Sequence, residues 1–113
     1  MLVWQKGIVL AEATHELTSR FPSGEKYGLI SQMTRAAVSV PSNLAEGQAR
    51  RTTGDFVRYV SNAKGSIAEL DTQRVIAEQL KYCTLADVGA LSQRILELRK
   101  MLNSLQQEFS PGG

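Results

Sequence analysis

Cysteine, histidine and tryptophan each occur once in this chain of 113 residues, and proline occurs three times. A single cysteine, Cys83, cannot close a disulfide within the chain, so a hydrophobic core must hold the fold and a reducing cytoplasm is the expected location. The same thiol is expected to be packed and inert. The single histidine, His15, leaves too few imidazoles for a metal centre. Glu12 and His15 have the Glu-x-x-His spacing, but a di-metal carboxylate bundle needs that motif twice, with two further glutamates. No glycine-rich phosphate loop is present, and no hydroxyl–histidine–carboxylate set exists beyond His15. No catalytic residue, metal site or cofactor is therefore expected, and the chain does not read as an enzyme. No apolar run approaches the roughly 20 residues that span a bilayer, so no membrane segment is expected. Lys6 and Glu12 interrupt the N-terminal apolar pattern, which argues against a signal peptide. Period-two alternation, the mark of a half-buried strand, is absent.

Charge of either sign is in short supply as well, with a formal net of only +2. Its distribution is uneven. Residues 19–66 carry Arg20, Lys26, Arg35, Arg50, Arg51, Arg58 and Lys64 against Glu25, Glu46 and Asp55, a net of +4, while the segments on either side each net −1. The positive excess belongs to the middle of the chain.

What the sequence does have is helical periodicity. Val3, Gly7, Leu10, Thr14, Leu17 and Phe21 alternate steps of four and three and lie on one stripe of a helix from residue 2 to about residue 21. Trp4, Ile8 and Ala11 form a flanking stripe. Pro22-Ser23-Gly24 interrupts the pattern, and Ser23 with Glu25 reads as a second helix start. That helix is expected from about Glu25 to Ala49, with Leu29, Met33, Ala36, Val40, Leu44 and Gly47 on one face. The register survives Pro41, which predicts one kinked helix; the alternative is a break, with Ser39 ending one helix and Ser42 or Asn43 capping the next. Thr52-Thr53-Gly54-Asp55 resembles a capping box before a third helix, whose inward positions are Phe56, Val60, Ala63, Ile67, Leu70 and Ala77. Thr84 to Asp87 repeats that logic before a fourth, with Val88, Leu91, Ile95, Leu98, Leu102, Leu105 and Phe109 in heptad spacing. Short joints between long helices force antiparallel neighbours. The expected fold is all-α, an up-down-up-down antiparallel four-helix bundle over residues 1–109, with residues 110–113 a flexible tail.

Several segments together carry a family resemblance: Leu2-Val3-Trp4-Gln5-Lys6, Phe21-Pro22, Tyr27-Gly28-Leu29, the run Arg35 to Gly47 centred on Pro41, and Gly65 to Gln73. Across roughly residues 2–105 the chain resembles the small bacterial four-helix-bundle proteins encoded by intervening sequences within large-subunit ribosomal RNA genes. It is similar in type to the accessory variability protein of diversity-generating retroelements. The resemblance implies a cytosolic protein without catalytic machinery that assembles as a homo-oligomer, a pentameric ring being favoured. The retroelement protein binds nucleic acid and a reverse transcriptase through a strongly basic ring. This chain is less basic, and Gln48 stands where an aromatic residue is common.

Two sets of residues are candidates for function. Arg50 and Arg51, with Arg58 and Lys64 in the next helix, could contact phosphates of a nucleic acid; the alternative is a solvated turn whose charge complements a helix C-terminus. Glu46 and Glu69 sit among small residues, and Arg35, Arg58 and Lys64 on the same two helices are natural partners for structural or interface ion pairs. Tyr59 is the nearest aromatic side chain, too few for base-specific stacking. The expected activity is macromolecular binding by a self-assembling scaffold or adaptor with a protein partner, or by a basic rim with nucleic acid.

Overall fold

The computed structural model describes residues 1–109; the expected tail of residues 110–113 lies outside the described residues. Four helices follow in order: α1 (Leu2–Thr18), α2 (Leu29–Gln48), α3 (Thr53–Gln79) and α4 (Leu85–Phe109), with a single 3-10 turn at Ser23–Glu25. Consecutive helices pack together and α4 closes against α1, while among the described residues neither diagonal pair approaches closely. Cross-links fix the antiparallel directions. Lys6 on α1 pairs with Glu97 on α4, whereas Arg20, beyond the far end of α1, bonds Asp87 at the start of α4 at 2.9 Å. The result is an up-down-up-down four-helix bundle of 45 × 23 × 19 Å.

The apolar stripes supply its core. Leu10, Met33, Leu44, Ile67, Leu70, Ile95, Leu98 and Leu102 are completely enclosed or nearly so. Each such side chain contributes about 1.5–3 kcal/mol relative to an exposed one. Thr14 is also fully buried, and its hydroxyl donates to the Leu10 carbonyl at 2.8 Å, which removes the cost of an unpaired polar group.

The joints differ in detail from the expectation. α1 ends at Thr18, yet Phe21 in the following turn is buried and stacks obliquely on Tyr82, ring centres 5.5 Å apart. α2 begins at Leu29, four residues later than the sequence pattern suggests. Glu25 is the reason: its side chain accepts from the Leu29 N–H at 3.1 Å and from the Tyr82 hydroxyl at 3.3 Å, so it serves as a remote cap. Pro41 lies inside α2, which runs unbroken from Leu29 to Gln48. Two separate helices are therefore ruled out, and Asn43 adds a side-chain bond to the Ser39 carbonyl (2.8 Å) in the turn that carries the proline. The helix starts of α3 and α4 follow the sequence reading. The Thr52 hydroxyl accepts from the Asp55 N–H at 3.1 Å, and the Thr84 hydroxyl from the Asp87 N–H at 3.2 Å.

Candidate functional site

The α2–α3 joint brings the paired arginines to one end of the bundle. Gly47 allows this end to close: a Cβ there would stand 2.7 Å from the Tyr59 Cβ and 3.3 Å from the Phe56 ring. With the helices this near, Arg50 and Arg58 both lie over the Tyr59 ring, at 5.0 and 5.2 Å from its centre. Arg50 also donates to the Tyr59 hydroxyl and pairs loosely with Glu46 at 3.8 Å, and Arg58 pairs with Asp55 at 3.7 Å. Arg51 is exposed and makes no ion pair among the described residues. Beside Arg50 and Arg51 lies a depression of about 370 Å³ whose apolar wall is Phe56, Leu105 and Phe109, the two phenylalanines packed edge to face at 5.4 Å.

Lys64 does not join this group. It is half-buried and donates to Gln106 on α4 at 2.6 Å, across the α3–α4 face. Glu46 and Glu69 are both exposed, so the small residues around them do not withdraw them from water. Glu46 pairs within its own helix with Arg50, and no ion pair among the described residues engages Arg35 or Glu69. Those two instead line opposite walls of a polar groove between α2 and α3. Its floor holds Gln73, a residue missed by the sequence reading. The signal was present: Gln73 occupies the core position between Leu70 and Ala77.

Several other ionisable groups are held by contacts within the bundle. Burial alone would raise the Asp71 carboxyl, but hydrogen bonds and charge from Arg99 and Arg74 outweigh it and hold the carboxyl below its ordinary value. Asp87 is likewise lowered, by bonds from Thr84 and Arg20. Burial, reinforced by Asp87 and Glu78, pushes the half-buried Cys83 thiol up, away from the reactive thiolate. Glu12 and His15 both lie on the outer surface of α1. Among the described residues no three His, Cys, Asp or Glu side chains converge as a metal site would require.

Uncovered apolar surface is the other prominent feature. Leu2, Trp4, Ile8 and Val9 on α1 and Val38 on α2 remain exposed. Gly7 sits against Pro41, where a Cβ would approach the proline ring to 3.2 Å, so α1 and α2 meet closely there.

The sequence model described as 23S rRNA-intervening sequence protein matches residues 1–104. The chain belongs to that family. A solved structure from Bacteroides thetaiotaomicron, described as a protein with unknown function from the S23 ribosomal protein family, is similar in fold. Its TM-score is 0.83 at 17% sequence identity, with 92% of this chain and 97% of that chain covered. No curated protein matches the sequence. At that identity the neighbour establishes the bundle architecture, and the family assignment rests on the sequence match. Among the described residues no helix is long and apolar enough to cross a membrane.

Proposed function

We propose that this family member is a non-enzymatic helical scaffold that assembles with copies of itself and acts by holding another macromolecule. The observation that carries the reading is the set of apolar side chains left uncovered on the first two helices, with Trp4 38% and Ile8 36% exposed on α1 and Val38 53% exposed on α2. Single exposed apolar side chains are ordinary, but Trp4 and Ile8 stand one helical turn apart on the same flank of α1. Closed symmetric assemblies remove such surface from water without leaving a free edge. Five protomers in a ring is the number we favour, in the cytoplasm. The mass of the particle in solution tests this: several protomers support it and a 12.4 kDa monomer overturns it.

A second reading is favoured by the basic end of the bundle. Arg50 and Arg58 are exposed over Tyr59, Arg51 is exposed next to Arg50, and a ring would repeat that group around one rim. Guanidinium contacts to phosphate attract nucleic acid regardless of sequence, and the net charge of +2 keeps the attraction modest. Titrating single- and double-stranded fragments at about 50 mM and 200 mM salt should give binding that weakens steeply with salt. Arg50→Glu with Arg51→Glu should weaken it for all fragments alike and leave the oligomer intact. No binding at the lower salt removes nucleic acid as a partner.

A further inference from the structure

Uncovered apolar side chains stand on two different flanks of α1. Lys6 pairs with Glu97 on α4, which fixes the side of α1 that faces α4. Leu2, one turn before Lys6, lies on that side, 61% exposed. It lines an open, largely apolar hollow of about 410 Å³ together with Met101 and Leu105 of α4. Trp4 and Ile8 lie two residues either side of Lys6, about 200° round the helix, so they stand on the flank turned away from α4. Gly7, three residues beyond Trp4, packs on Pro41, so this second flank is the one towards α2. The bundle thus has an apolar ridge on one side of α1 and an apolar hollow on the other.

Ridge and hollow share one level of the bundle. Met1, Leu2 and Val3 line the hollow, and Trp4 follows them at about 1.5 Å per residue. At a second level the charges are complementary. Glu12, one turn beyond Ile8, is exposed and takes part in no ion pair among the described residues. Ala13, the next residue, lines a depression on the α4 side together with Arg94. Arg20 engages the two acids of that depression, Glu16 and Asp87. Arg94 is exposed and has no ion-pair partner among the described residues.

We propose that the ridge of one copy of this chain seats in the hollow of the next: Trp4 enters beside Leu2 and Met101, Ile8 packs along it, and Glu12 meets Arg94. Rotation about an axis parallel to the bundles keeps every residue at its own level, so features that are level within one chain meet between neighbours. The two surfaces differ, which makes the contact head-to-tail and not a two-fold pair. Both flank one helix at a corner of the bundle, so successive contacts turn instead of running straight. Adjacent faces of a four-helix bundle point roughly 90° apart, and a ring of five needs about 108°. The assignment rests on the self-assembly reading and adds to it the two faces that meet.

A head-to-tail contact can be capped from either side, and the test uses that property. Ser104 lines the hollow and is exposed, so Ser104→Trp blocks the hollow without entering the core. Trp4→Glu removes the ridge. Each variant alone spoils one side of every contact and should be a 12.4 kDa monomer. Mixed in equal amounts, they should form particles of two chains and stop. The intact Trp4 of one enters the open hollow of the other, and neither remaining surface can continue. Sedimentation velocity reads the sizes, and circular dichroism melts verify that each variant folds. If Trp4→Glu impairs folding, the exposed charges replace it: Glu12→Arg and Arg94→Glu should each weaken association about tenfold or more, and both in one chain should restore it. A wild-type protein that stays monomeric overturns both the assembly reading and this interface. A wild-type assembly that the variants leave intact, a mixture that does not stop at two chains, or a double charge variant no better than the singles overturns the interface alone.

Discussion

Gly47 and Gly65 have opposite reasons for lacking a side chain. At Gly47 an added Cβ would stand 2.7 Å from the Tyr59 Cβ, an atom fixed to the α3 backbone, so the two helices would have to separate. At Gly65 nothing lies within 4 Å. Gly47→Ala should therefore destabilise the fold by about 1–2 kcal/mol, overpacking outweighing the better helix propensity of alanine. Gly65→Ala should stabilise it by about 1 kcal/mol, because propensity acts there without a clash. Denaturant melts of the two variants check the contrast; equal shifts would contradict the close α2–α3 contact. This distinction was only half legible in the sequence. The position of Gly47 on the apolar face of α2 marked it as a contact residue, but no pattern identified Tyr59 as the atom it accommodates. Ion pairing was less legible still. Arg35, Glu46 and Glu69 share two neighbouring helices, yet Arg50 takes Glu46, because a partner one turn away is reached without crossing between helices.

The helices themselves were legible because their apolar positions repeat at the helical period. Val3, Gly7, Leu10, Thr14, Leu17 and Phe21 are all buried, as are Val88, Leu91, Ile95, Leu98 and Leu102. Their ends were less so, since an end is decided by individual hydrogen bonds. Glu25 delays α2 by accepting the Leu29 N–H, and Phe21 stays in the core after α1 has ended. The end of α3 is the clearest example. Lys81 adopts φ 62°, the left-handed conformation favoured by glycine, while its N–H bonds the Glu78 carbonyl and that of Tyr82 bonds the Ala77 carbonyl. Nothing in the composition of this joint signals a non-glycine residue in that conformation. Lys81→Gly should stabilise the protein by about 1 kcal/mol, by relieving the contact between Cβ and backbone. A lower melting temperature would show that the lysine side chain contributes more than the strain costs. Pro41 belongs at this scale too. The unbroken α2 supports a single helix, and we propose that the proline bends it where the bond to the Ala37 carbonyl is lost.

At the scale of the molecule, one core accounts for the bundle, and among the described residues it leaves uncovered, with others, apolar side chains of α1 such as Trp4 and Ile8, and a polar groove lined by Arg35, Glu69 and Gln73. Periodicity disclosed the first, because Trp4, Ile8 and Ala11 formed a stripe beyond the one that the core needs. It could not disclose the second, which depends on side chains from two helices meeting across a gap. The basic end with Arg50 and Arg51 acquires weight only if it is repeated around an assembly, so every functional reading depends on copies coming together. The most direct measurement is the mass of the untagged protein by light scattering across a concentration series in the micromolar range. The account predicts a particle of several protomers, close to five times the 12.4 kDa of one chain. A mass that stays at 12.4 kDa at every concentration would contradict it.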